Sequence, residues 1–318
     1  MSRSNPVRRA PRFVAEVDEG GLGAVDAVRV SDRKSNLWID AWRDLRGRWM
    51  FWVSAAFILL IVFTALFPTV FTDVPPNDGC SLSKSNAGPE PGHPLGFTLQ
   101  GCDIFSRIVH GTSTSLYVGL LVTAITAVMG ILIGAFAGYF GGWLDSLLMR
   151  LGDMFFAIPY ILAGVVVMSM FINDRNILVI SLAIGFFAWP STARILRSEV
   201  LRVRQADYVV ASESLGLSRF RTMMAHVLPN SITPVIIIST VGLAAAITAE
   251  ATLSYLGVGL PPGVMSWGND ISAAQNDLRQ SPMPLIYPSI ALSVTVLAFI
   301  MLGEVVRDAL DPKARAAR

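Results

Sequence analysis

Long stretches without a single charge constrain this chain more than any motif does. A bilayer core about 30 Å thick needs roughly 20 apolar residues of helix, and six stretches come close to that length. Arg48 to Asp73 encloses the first. Arg107 to Asp145 encloses a longer one, with its apolar part from about Leu116 to Tyr139. Asp153 to Asp174 bounds the third and Arg175 to Arg194 the fourth. The fifth runs from about Ile232 to Tyr255, interrupted only by Glu250, and the sixth lies between Arg279 and Glu304. Hydrophobic residues make up 53% of the chain and charged residues 15%, too little charge to cover a water-soluble surface of this size. The expectation is an all-α membrane protein with six transmembrane helices, surrounded by lipid. A net charge of +2 gives no reason to expect a nucleic-acid partner.

Charge placement sets the domains and the orientation. Residues 1–36 carry Arg3, Arg8, Arg9 and Arg12, then Glu16, Asp18, Glu19 and Asp26, with little periodic apolar content. They read as a disordered cytoplasmic tail ahead of a transmembrane domain, 37–318. Arg43, Arg46 and Arg48, the arginines of the loop at 194–230, and Arg307, Lys313, Arg315 and Arg318 all fall on one side of a six-span topology. Positive residues collect on the cytoplasmic side, so both termini are expected there. Both cysteines, Cys80 and Cys102, then lie in the first loop on the opposite, oxidising face. That points to a disulfide, with two free thiols as the alternative.

Few residues suggest chemistry. A phosphate-binding loop needs a Lys after Gly, but Lys34, Lys84 and Lys313 all lack one. ATP hydrolysis is therefore not expected in this chain, nor is a cofactor. His93, His110 and His226 are too dispersed for a metal site, and no nucleophile-elbow pattern points to an enzyme. Glu250, inside a span, has two readings. It is the titrating group of a proton-coupled carrier, or it sits near the outer end of its helix, satisfied by water or a backbone amide. Gly130, Gly134 and Gly138 repeat at four-residue spacing and predict close helix approach. Arg150 and Asp153 are spaced to pair on one helix face.

The loop at 194–230 carries a more specific signal. Asp207-Tyr208-Val209-Val210-Ala211-Ser212-Glu213-Ser214-Leu215-Gly216, followed by His226-Val227-Leu228-Pro229-Asn230, resembles the EAA loop of ABC importer permeases. Val210 stands where that family usually has Glu, and Ser212 where it has Ala. Other segments resemble the dipeptide, oligopeptide and nickel permeases: His93-Pro94-Leu95-Gly96 with Asp103, Ser106-Arg107 and Gly111; Gly138-Tyr139-Phe140-Gly141-Gly142-Trp143 with Asp145; Glu250-Ala251-Thr252-Leu253-Ser254-Tyr255-Leu256-Gly257 with Ser266-Trp267-Gly268; and Arg307 to Pro312. Phe97-Thr98 and Cys102 depart from the usual residues there.

The resemblance implies a type I importer permease fold in the cytoplasmic membrane. It also implies a second permease subunit, two ATPase subunits and an extracytoplasmic binding protein, with a peptide or related small solute as cargo. The EAA loop would dock an ATPase through a short helix presenting Asp207, Tyr208, Ala211, Ser212 and Leu215. Gly216 would take the left-handed conformation that ends it. The residues that bind the solute are not identifiable from the sequence.

Overall fold

The computed structural model describes residues 37–310. The tail expected at 1–36 and the basic C-terminal residues Lys313, Arg315 and Arg318 lie outside that range. In chain order the helices are α1 (Leu37–Arg46), α2 (Trp49–Leu66), α3 (Ile104–Phe140), α4 (Gly142–Ala157), α5 (Tyr160–Met170) and α6 (Ile177–Arg204). Then come α7 (Asp207–Ser214), α8 (Arg219–Thr222), α9 (Leu228–Ser231), α10 (Thr233–Tyr255), α11 (Trp267–Ala274) and α12 (Met283–Leu310). Five of them, α2, α3, α6, α10 and α12, are long and apolar enough to cross a bilayer. Helices α4 and α5, bent by 80° at the break between them, make a sixth crossing when the pair is taken as one span. The break has a local cause. Pro159 follows Ile158, and a residue before proline is pushed out of the helical region; Ile158 is accordingly extended, at φ −94° and ψ 118°.

Two spans are longer than the charge-free stretches suggested. Helix α3 begins at Ile104 rather than near Leu116, because Asp103 caps it by accepting from the Phe105 amide (2.9 Å). Its 37 residues extend roughly 55 Å, well beyond a bilayer core. Helix α6 is capped by Asn176, which accepts from the Val179 amide, and continues past Arg194 to Arg204. The arginines of its last turn, Arg202 and Arg204, face the negative end of the helix dipole.

Helices α3 and α6 form the spine. A Cβ placed on Gly130 would lie 2.5 Å from Thr192 Cγ2, one on Gly134 2.6 Å from the Ala193 carbonyl, and one on Gly138 2.9 Å from the Arg197 carbonyl. The glycine repeat is thus a seam in which only hydrogen fits. At one end of this spine, Ala135, Tyr139, Leu196, Val200 and Val203 pack with Val209, Met223 and Val227. At the other, Val118, Val122, Ile180 and Ile184 pack with Ala246 and Leu253. Asp153 pairs with Arg194 (2.7 Å) rather than with Arg150, and Arg197 holds Asp145 with two bonds of 2.5 and 2.6 Å. Both pairs tie α4 to α6. Outside the spine, α1 packs Ala41 and Leu45 against the end of α12, where Arg48 bridges Asp44 and Asp308.

Candidate functional site

Helix α7 follows α6 at the arginine-rich end of the bundle. Val209 and Ser212 face inward and are buried, while Asp207, Tyr208, Val210 and Ala211 face outward. The helix ends as its sequence demands. Gly216 has φ +91°, the Leu217 amide donates to the Ser212 carbonyl (3.2 Å) and the Gly216 amide to that of Glu213 (3.0 Å). This closure needs a left-handed residue, so glycine fits and a β-branched residue does not. It leaves Leu215 83% exposed at the tip.

The structure therefore corrects one expected member of the surface. Ser212 is buried, its hydroxyl donating to the Val209 carbonyl at 2.8 Å, because it lies one turn from Val209 on the inner face. Three exposed apolar residues went unrecognised in the sequence: Val210, Phe220 and Met224. For Val210 the cause is geometric, since a helix that buries positions 209 and 212 exposes 208, 210 and 211. Exposed apolar side chains gathered at one end of a bundle make that end a candidate interaction surface.

A cavity of about 570 Å³ opens midway along the spine. Val122 and Thr126 of α3, Phe155 and Phe156 of α4, Tyr160 of α5 and Ile184 of α6 line it, with Thr192, Ser239 and Gly242. Aromatic rings and hydroxyls both line it, and among the described residues no charged side chain does. Its volume lies within the range of small-molecule sites, and it sits at the Pro159 break between α4 and α5.

The opposite end of the bundle is clasped. Cys80 and Cys102 form a disulfide within the long loop between α2 and α3. Arg107 of α3 reaches Asp270 of α11 through Nε (2.8 Å) and a terminal nitrogen (2.5 Å), and its other terminal nitrogen donates to Asn77 (2.7 Å). Burial pushes the Asp270 carboxyl above the usual aspartate range, and the Arg107 guanidinium opposes that push. Trp267, buried, donates its indole N–H to the Ile108 carbonyl (3.1 Å).

Glu250 belongs to this clasp. It is fully buried, and three hydroxyls donate to it: Ser254 (2.9 Å), Ser266 (2.9 Å) and Ser115 (3.4 Å). Ser266 also caps α11 by accepting from the Asn269 amide, and Ser115 accepts from the Trp267 amide. A Cβ on Gly268 would lie 2.6 Å from Ala251 Cα. The two motifs, Glu250 to Gly257 and Ser266-Trp267-Gly268, are thus one packed unit.

With this geometry the chain is similar to proteins of known role. Residues 130–316 match the family described as binding-protein-dependent transport system inner membrane component. Residues 36–89 match the N-terminal transmembrane domain of oligopeptide transport permease C. The glutathione transport system permease protein GsiD of Pectobacterium atrosepticum is 32% identical over 88% of this chain and 92% of its own length. The oligopeptide transport system permease protein OppC of Bacillus subtilis is 32% identical over 94% of this chain and 97% of its own length. A solved amino acid ABC transporter aligns with a TM-score of 0.48 at 15% identity, over 62% of this chain and 91% of that one.

Proposed function

This chain belongs to the family of binding-protein-dependent transport system inner membrane components, and on that premise we propose that α7 is the element through which an ATPase subunit drives it. It is a multi-pass inner membrane protein and a permease subunit of an ATP-driven importer for peptides or related small solutes. Energy enters through a separate ATPase and not through a titrating Glu250, which serves instead to clasp α3, α10 and α11 together.

The finer assignments are part of the same proposal. The arginine-rich end, with α7 and both termini, faces the cytoplasm. The complex holds a second permease subunit and two ATPase subunits, and a binding protein delivers cargo to the disulfide end. The chain itself uses no cofactor. Glutathione and oligopeptides, the substrates that the relatives are named for, set the cargo class: a short peptide or a solute of that size.

One observation carries the docking assignment. Leu215, Tyr208, Val210, Phe220 and Met224 are each exposed on α7 or the segment that follows it, while Val209 and Ser212 on the inner side of α7 are buried. Exposed apolar side chains outside the spans gain nothing from lipid and are covered only by another protein. Docking involves Asp207, Tyr208, Ala211, Leu215 and Gly216, with Ser212 supporting from the inner face. The test is co-purification of ATPase subunits with Ala211→Trp and Gly216→Val. Both variants should insert into the membrane and lose the ATPase. Full ATPase recovery with both would remove α7 from the role.

A further inference from the structure

We propose that the hydrogen bond from Tyr139 to Glu213 is the link that carries movement of α7 into the α3–α6 spine, making both positioning residues for transport. The proposal rests on the docking reading above and goes beyond it, to how force leaves the docking helix. Tyr139 is the penultimate residue of α3 and is fully buried. Its hydroxyl donates to Glu213 Oε1 at 2.5 Å, and Glu213 sits on α7 three residues before Gly216. The guanidinium groups of Arg204 and Arg219 lie over the same ring, at 5.8 and 6.0 Å from its centre.

The two ties between α7 and the spans differ in kind. Val209 packs into the apolar cluster of Tyr139, Val203 and Met223, a contact that resists separation but has no preferred direction. The Tyr139–Glu213 bond is directional and charge-assisted, so it resists sliding and rotation as well. Beyond Tyr139 the spine leaves no slack. Gly138, Gly134 and Gly130 follow at four-residue steps against Arg197, Ala193 and Thr192, so α3 and α6 move as one body. The far end of that seam, Thr192, lines the cavity, as do Val122 and Ile184. Beside the Val209 contact and the short connection at 205–206, this hydrogen bond and the glycine seam give a displacement of α7 a directional route to the cavity wall.

A merely structural bond would hold α7 in place without affecting what ATP does at the cavity. The two roles separate in the assembled transporter, reconstituted with its ATPase subunits and spin-labelled at Thr126→Cys and Ser239→Cys across the cavity. The probe is ATP with vanadate, so no cargo need be known. In the parent, ATP should shift the distance between labels. In Tyr139→Phe and Glu213→Ala, ATPase should still co-purify and hydrolyse ATP, while the ratio of shifted to unshifted populations falls about tenfold, as expected for losing one hydrogen bond to a charged group. Glu213→Gln, which keeps an acceptor oxygen, should retain most of the shift. The double variant should be no worse than either single one. A full shift in Tyr139→Phe, or losses that add in the double variant, would overturn the proposal. Failure of the docking reading shows separately, as full ATPase recovery with Ala211→Trp.

Discussion

The two ends of the bundle are built on opposite rules. At the disulfide end, loops that would otherwise be irregular are closed by a covalent bond, by the Arg107–Asp270 pair and by Glu250 with its three serines. At the arginine-rich end, the loop from 205 to 232 has a packed inner face and an outer face of exposed Leu215, Phe220, Val210, Tyr208 and Met224. The disulfide end is cross-linked within one chain, although Leu82, Leu256 and Leu278 remain exposed on it. The arginine-rich end leaves its apolar surface for a partner.

The comparison breaks most easily at the buried ion pair. Asp270→Ala would strand the Arg107 guanidinium in the clasp, and losing one partner of a buried pair costs about 4 kcal/mol. The expected result is a marked fall in the thermal midpoint of the purified protein, with ATPase docking retained in whatever fraction stays folded. An unchanged midpoint would mean the disulfide end is not held as described.

Removing the disulfide comes next. In Cys80→Ser with Cys102→Ser, opening a loop of 22 residues' separation should cost about 3 kcal/mol by chain entropy. Non-reducing peptide mass spectrometry of the parent should find the two cysteines linked. The same substitution pair should leave co-purification of the ATPase intact, since α7 lies at the other end.

Gly216→Val inverts the pattern. The left-handed backbone at φ +91° strains a β-branched residue by about 1–2 kcal/mol. The fold should survive while ATPase binding is lost. A variant that lost its fold instead would show that the arginine-rich end is as tightly tied as the other.

The smallest effect concerns a surface pair of the disulfide end. The Lys84 ammonium, bonded to Glu90 at 2.6 Å, holds the Glu90 carboxyl below the usual glutamate range. A carboxyl lowered in the folded state adds stability above its unfolded value, and that contribution is lost as pH falls through the folded one. Hydrogen exchange around 82–92 should therefore quicken, after correction for intrinsic rates, from about pH 6 to about pH 3. The change should be slight at high salt, because the pair is exposed.

Much of this organisation was legible in the sequence, and the parts that were not share a cause. Charge-free stretches located the spans because water, not protein, usually surrounds a charge. Where protein surrounds it, the rule misleads. Arg107 lies inside α3, where the buried Asp270 pairs with it, and Arg197 lies inside α6, paired with the half-buried Asp145. By charge alone each reads as a span boundary or loop residue. The break at Ile158–Pro159 was written in the chain, yet its position within an otherwise uniform apolar run hid it. Glu250 shows the limit of local reading, since Ser254 is four residues away but Ser115 and Ser266 come from elsewhere in the fold. In the docking element, Gly216 and Leu215 were legible from turn chemistry. The inward turn of Ser212 follows only once Val209 is known to be buried.

Two leucines put the central claim to a direct test. Leu215 is 83% exposed at the arginine-rich end, and Leu82 is 79% exposed at the disulfide end. A photo-crosslinking amino acid at each position, in membranes containing the assembled transporter, asks which end meets the ATPase. The account predicts an adduct with the ATPase subunit from position 215 and none from position 82. An ATPase adduct from position 82, or none from position 215, would contradict it.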